Sequence, residues 1–163
     1  MKKLGLIGLL CVFIIFNAAA QHLPQIDRYK LDTDEDCVAA DKIALQVADY
    51  LFQTPFITDD DNRLRAGRFL NKWMEGTPTY TFMIDEDFTD NFEGDPDMLD
   101  MYMAALTRFT LQNPDITDDH KISAGAMKQV IAYAADDANN VLLSKRLQKL
   151  VTAAGDGKLE KMF

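Results

Sequence analysis

Five carboxylates, Asp85, Glu86, Asp87, Asp90 and Glu93, fall within one stretch of nine residues. Hard oxygen donors at that density are the chemistry of a calcium site. The spacing is not that of an EF-hand. Counted from Asp85, position six is Asp90 where glycine is needed, and position twelve is Pro96 where glutamate is needed. Counted from Asp87, position six is Phe92. What remains is an irregular site with Asp85, Asp87, Asp90 and Glu93 as candidate ligands, set against a plain solvated acidic loop. The other acidic runs are Asp34-Glu35-Asp36, Asp59-Asp60-Asp61, Asp95 with Asp97, Asp118-Asp119 and Asp136-Asp137. Each falls at a predicted helix start, where free amides and the helix dipole favour carboxylates.

Met98, Met101 and Met103 bring three thioethers close together, the ligand type of a copper(I) site. Met98 and Met101 share a helix face and Met103 does not, and the two histidines, His22 and His120, are remote in sequence. A methionine-rich core stripe accounts for the pattern better. Ser123 and Ser144 are the two serines, and neither sits in G-x-S-x-G. There is no H-E-x-x-H and no glycine-rich phosphate loop. A carboxylate pair for glycoside cleavage is not singled out by any spacing. Trp73, Tyr80, Phe82, Phe88 and Phe92 surround a long connection. They form a candidate groove for a peptide or an apolar ligand, or else a cap on the core.

The elements that must position these residues are helices. Apolar residues recur at helical spacing in five stretches, about 36–53, 59–75, 96–112, 118–135 and 137–154. No Gly or Pro separates the last two, so they are expected to be continuous or kinked at Asp136-Asp137. Between the second and third, Tyr80, Phe82 and Ile84 alternate with other residues, which predicts an extended segment lying across the helices with those side chains buried.

One motif occurs twice. Gln53-Thr54-Pro55-Phe56-Ile57-Thr58-Asp59-Asp60 and Gln112-Asn113-Pro114-Asp115-Ile116-Thr117-Asp118-Asp119 share Q-x-P-x-I-T-D-D at an offset of 59. Upstream at that offset Tyr50 matches Phe109, Asp41 matches Asp100, Ala40 matches Leu99 and Asp36 matches Asp95. Downstream, after one residue is dropped, Ala66-Gly67 matches Ala124-Gly125, Phe69 matches Met127 and Trp73 matches Ile131. Each copy reads helix, proline turn, helix, with Thr58 and Thr117 expected as N-caps. The pattern points to a duplicated helical hairpin.

The chain begins Met1-Lys2-Lys3, continues apolar from Leu4 to Phe16 and reaches Asn17-Ala18-Ala19-Ala20. That is the grammar of a secretory leader cleaved after Ala20, and it predicts a periplasmic or extracellular protein with no stable membrane span after cleavage. Loss of Lys2 and Lys3 takes the formal charge from -9 to -11, a poor match for nucleic acid or an anionic membrane. Cys37 is then the sole cysteine, so no internal disulfide is available, and it reads as a small buried hydrophobe.

The expected architecture is all-α. A leader (1–20) and a mobile lead-in (21–34) precede a single domain (35–155), which holds hairpin one (36–75), a connection (76–95), then hairpin two and a last helix (96–154). A tail (156–163) follows. The expected role is a non-catalytic protein-interaction or structural module with a protein or peptide partner and no cofactor. A ligand or calcium carrier using residues 76–97 is the alternative, and a carboxylate-dependent enzyme comes third.

Overall fold

Stripes of apolar side chains on one face make a helix stable only when that face is covered, and the seven α-helices among the described residues cover one another. The computed structural model describes residues 22–162, and the predicted leader lies outside them. The helices are α1 (Asp34–Ala39), α2 (Asp41–Gln53), α3 (Asp61–Gly76), α4 (Glu86–Thr89), α5 (Pro96–Gln112), α6 (Asp119–Ala135) and α7 (Lys145–Gly155). The fold is all-α, with no strand among the described residues.

Helix α5 is the hub. It buries Met98, Met101, Tyr102, Ala104, Ala105, Leu106, Thr107 and Thr110, and it lies against α2, α3 and α6. Its small residues let neighbours approach on several sides. Helix α2 also lies against α3, and α6 carries α7 on its other side. Trp73 on α3 is fully buried and ties α3 to the first helices, its indole N–H donating to the Cys37 carbonyl (3.1 Å) and to Asp41 Oδ1 (3.2 Å). Cys37 is a buried free thiol pressed against Gly76, where a Cβ would come within 2.8 Å of its sulfur. Burial, with Asp34 and Asp36 nearby, raises its pKa.

Five expectations need correction. The caps of α3 and α6 are not Thr58 and Thr117 but Asp60 and Asp118, whose carboxylates accept from the Arg63 and Lys121 amides. A charged acceptor at the positive helix end is the stronger cap. The first predicted helix is broken at Ala40, which is C-cap of α1 and N-cap of α2 at once. The last predicted helix begins eight residues late. Asp136 caps a short 3-10 turn (Asp137–Asn139), Asn140 adopts the left-handed conformation at φ 57°, and Ser144 caps α7. Asparagine tolerates that conformation, so Asn140 does what no Gly or Pro was present to do. The lead-in is pinned rather than mobile: Ile26 and Leu31 are buried, Arg65 pairs with Asp27 (2.8 Å) and Lys72 with Asp32 (2.8 Å). Finally, Tyr80 and Phe82 lean on the Trp73 ring at 5.9 and 5.8 Å, but Ile84 is 57% exposed rather than buried.

The two proline turns are built alike and differ in length. Residues 54–60 join α2 to α3, and residues 113–118 join α5 to α6. The extra residue is accommodated at Asp59, at φ 59°. Arg108 on α5 and Asp49 on α2, 59 positions apart, form a half-buried ion pair at 2.7 Å where the two helices cross.

Candidate functional site

The acidic loop does not gather into a metal site. Asp85 caps α4 by accepting from the Asp87 amide (2.9 Å). Asp87 is exposed. Asp90 offers its main-chain carbonyl to Arg146, and Glu93 pairs with the same guanidinium at 3.0 Å. Among the described residues no group of three or more His, Cys, Asp or Glu side chains could hold a metal ion. Arg146, in the first turn of α7, supplies the charge that the loop faces.

The aromatic groove is a correction. Trp73, Phe88 and Phe92 are buried, and Tyr80 and Phe82 are half-buried against Trp73. Phe88 stacks on Tyr102 at 6.5 Å and Phe92 tilts on it at 5.5 Å, so the loop is held down by its own aromatics. Tyr102 is sealed beneath them with its hydroxyl making no hydrogen bond of good geometry. Burial raises its pKa to about 12, offset slightly by the Ser123 hydroxyl. The three methionines do not converge. Met98 and Met101 are buried, Met101 Sδ accepts from Arg63 Nη2 (2.9 Å), and Met103 faces outward on another side of α5. His22 and His120 are exposed, with His120 edge-on to Phe88 at 5.6 Å. Ser123 is buried, and the Ser144 hydroxyl accepts from the Leu147 amide.

The surface that does stand out runs along the seam between α3 and α5. Three concavities follow one another there. The first, about 270 Å³, lies between the 54–60 turn and the 140–142 segment and includes Phe56, Met98, Val141 and Leu142. The second, about 30 Å³, sits under Phe56, Ile57 and Leu64 beside Asp59, Asp60, Asp97 and Asp100. It shares Phe56 and Asp97 with the first. The third, about 440 Å³, is lined by Met74, Ile84, Leu99 and Met103, and it shares Asp100 with the second. Of the eight large apolar side chains exposed among the described residues, four, Leu142 (90%), Ile57 (58%), Ile84 (57%) and Leu64 (38%), line this seam.

Its framework is rigid for identifiable reasons. Arg63 donates to the carbonyls of Leu51, Thr54 and Pro55 at 3.3 Å each and to the Thr54 hydroxyl at 3.2 Å. Its guanidinium also lies over the Phe56 ring at 5.1 Å. Tyr133 donates to the Thr54 carbonyl (2.8 Å), and the Phe56 amide donates to the Asn139 carbonyl (2.8 Å). The turn is thereby fixed to α6 and to the segment carrying Leu142. Gly67 on α3 admits Asp100, whose Oδ2 lies 3.6 Å from where a Cβ would stand. Burial raises the Asp100 pKa, the Asp97 charge adds to it, and a hydrogen bond from Asn71 opposes both.

Nothing in the sequence marks Ile57, Leu64, Ile84 and Leu142 as one surface. Leu64 breaks the polar face of α3 and Ile57 sits in a turn, both signals visible as apolar residues off the core stripe. Leu142 was absorbed into a helix that begins only at Lys145. No helix among the described residues is long and apolar enough to cross a membrane. Compared with known proteins, the chain matches no family model, no curated protein and no solved structure.

Proposed function

We propose that this chain is an exported, non-catalytic binding module that holds a segment of a partner protein in the α3–α5 seam. The observation that carries the reading is that three connected concavities hold four of the eight exposed large apolar side chains among the described residues. Contiguous exposed apolar surface costs solubility, and it is the usual mark of an interaction site. A groove between two helices accepts an amphipathic helix or an extended peptide.

The scaffold beneath this seam is, in the same reading, a duplicated helical hairpin. Hairpin one is α2 with α3 and hairpin two is α5 with α6, and α7 is an addition. The one-residue difference between the turns accounts for the change of sequence offset from 59 to 58 at the helix starts. The Asp49–Arg108 pair joins matching positions, as expected where two copies meet about an approximate two-fold axis. Export rests on the leader grammar of residues 1–20.

Two measurements test the reading. Amide and methyl NMR of the purified protein with an uncharged apolar fluorescent probe such as N-phenyl-1-naphthylamine should show shifts confined to the surroundings of Ile57, Leu64, Ile84 and Leu142. Shifts centred elsewhere, or none, would remove the seam as the binding face. Intact mass of the protein recovered from outside the cytoplasm should begin at Gln21, and a full-length mass in the cytoplasm would remove export.

A further inference from the structure

We infer that the occupant of the seam is a basic amphipathic segment, with apolar anchors at its two ends and Lys or Arg between them. This rests on the reading of the seam as a binding face and names the chemistry of its partner.

Any occupant of the seam must cover its charges as well as its apolar walls. The two larger concavities are apolar in their main lining, but the small one between them is flanked by Asp59, Asp60, Asp97 and Asp100. Anything that seats on both apolar ends lies across those carboxylates. Covering a carboxylate without a counter-charge or a hydrogen-bond donor costs far more than the apolar contact returns. Among the described residues Arg63 is the one cation lining the three concavities, and its guanidinium faces inward to main-chain carbonyls, the Thr54 hydroxyl and the Met101 sulfur. The ion pairs Arg65–Asp27, Lys72–Asp32, Arg108–Asp49, Arg146–Glu93 and Lys158–Asp156 engage none of the seam's acids. Asp60 accepts from the Arg63 amide and Asp100 from Asn71, so among the described residues it is Asp59 and Asp97, outside all of these bonds, that leave their charge open to a ligand.

Size agrees with this. A cavity of about 30 Å³ holds a water or the head of one ammonium group, not a folded ligand. From Asp97 to Met103, along α5, is about 9 Å at the helical rise. The cation thus belongs about two turns from the apolar anchor that meets Met74, Ile84 and Met103. A second copy of this chain is a poor occupant, because each copy carries a formal charge of -9, or -11 without Lys2 and Lys3. The same sign disfavours nucleic acid and anionic lipid.

The test uses three synthetic helical peptides with the same leucine anchors and a central pair of Lys/Arg, Gln or Glu. Binding to the purified protein is read by fluorescence anisotropy at low and at about 0.3 M salt, and the contact surface by amide NMR. The basic peptide should bind roughly tenfold more tightly than the Gln peptide. The gap should close in salt and vanish in Asp97→Asn/Asp100→Asn, whose fold is checked by its thermal melt. Leu142→Glu, at a position 90% exposed and so tolerant of change, should weaken both peptides without unfolding the protein. Equal affinity of the basic and Gln peptides, both on the seam, would overturn the charge inference and leave the groove. A basic peptide whose shifts scatter over the acidic surface would overturn it as plain electrostatics. Self-association reversed by Leu142→Glu would replace the basic segment with a second copy. If no peptide perturbs the seam, both the inference and the reading beneath it fall.

Discussion

The turn at residues 53–60 and the turn at residues 112–119 close their helices by the same devices and face opposite surroundings. In the first, the Thr54 hydroxyl donates to the Tyr50 carbonyl at 2.8 Å, and in the second the Asn113 amide donates to the Phe109 carbonyl at 2.8 Å. Asp60 and Asp118 cap the helices that follow. Beyond these shared bonds the two part. Ile57 is 58% exposed, whereas Ile116 is half-buried against the core. Arg63 stands where the matching stretch has Lys121. The first turn borders the acidic seam, and beside the second lies a cleft of about 450 Å³ lined by His120, Lys121 and Lys128. The positions that agree are those that set the backbone, and the positions that differ set the surface. On the proposed duplication, that is where a new binding face can arise without loss of the fold.

Matching glycines give the largest expected contrast. A Cβ on Gly125 would stand 2.2 Å from the Phe109 ring, while one on Gly67 meets Asp100 at 3.6 Å, an ordinary contact. Gly125→Ala should destabilise the protein by about 2 kcal/mol through overpacking, net of the gain in helix propensity. The melting temperature should fall by about 6 °C. Gly67→Ala should be neutral or stabilising by up to about 1 kcal/mol. Adding Phe109→Leu should restore part of the loss in Gly125→Ala and none in Gly67→Ala. Equal melts for the two alanine variants would show that the two helix contacts are interchangeable.

Arginine and lysine at the matching positions come next. Arg63→Lys gives the first turn the residue found in the second. It removes the fork that reaches the carbonyls of Leu51, Thr54 and Pro55, at a cost of about 1–2 kcal/mol. Lys121→Arg should stay within about 0.5 kcal/mol of the parent. Urea unfolding reads both. A small effect of Arg63→Lys would mean that the first turn is held by Tyr133 and Asn139 alone.

The coarse fold was legible because burial leaves a periodic trace. The span of α5, Pro96 to Gln112, is the span that the sequence predicts, since Pro96 and Asp95 mark its start and an apolar stripe runs its length. The break at Ala40 left no trace, because alanine is equally content on either side of a bend. The segment 137–144 was misread for a related reason: asparagine at φ > 0 looks like any polar helix residue in a one-dimensional pattern. The site was harder. Trp73, Phe88 and Phe92 were candidates because aromatics are conspicuous, and the same size sent them to the core. Ile57, Leu64, Ile84 and Leu142 come from four separate stretches. Only the packing of α3 on α5, with the 140–142 segment laid beside the first turn, brings them onto one face.

The Asp49–Arg108 pair tests the proposed two-fold relation directly. Exchanging its ends, Asp49→Arg with Arg108→Asp, keeps the charges and reverses which hairpin holds which. Each single change should cost about 1 kcal/mol, and the exchange should recover part of the sum. Full recovery is not expected. Arg108 also lies over Phe52 at 5.1 Å and donates to Gln129 at 3.0 Å. The position matching Phe52 is Leu111, which offers no ring face. Complete recovery would show the two halves equivalent at this crossing, and no recovery would show that the ring and Gln129 dominate.

The smallest effect concerns Asp41 and Asp100, which also match. Burial is the main cause that raises both pKa values, opposed by the Trp73 N–H at Asp41 and by Asn71 at Asp100. A raised folded pKa means that the native state keeps a proton the unfolded chain has lost. These groups therefore favour folding most in acid, below the ordinary carboxylate value, and that contribution declines as pH climbs through the folded value. Asp41→Asn and Asp100→Asn should each raise the melting temperature slightly at neutral pH and leave it unchanged in strong acid. An offset constant across pH would show that the lost carboxylate mattered for shape, not for its buried charge. Asp97→Asn separates the two sites. The Asp97 charge helps raise Asp100, so its removal should move the Asp100 slope to lower pH and leave that of Asp41 in place. A shift of both would place Asp41 and Asp100 in one coupled field, and the seam would then extend electrostatically across the first hairpin.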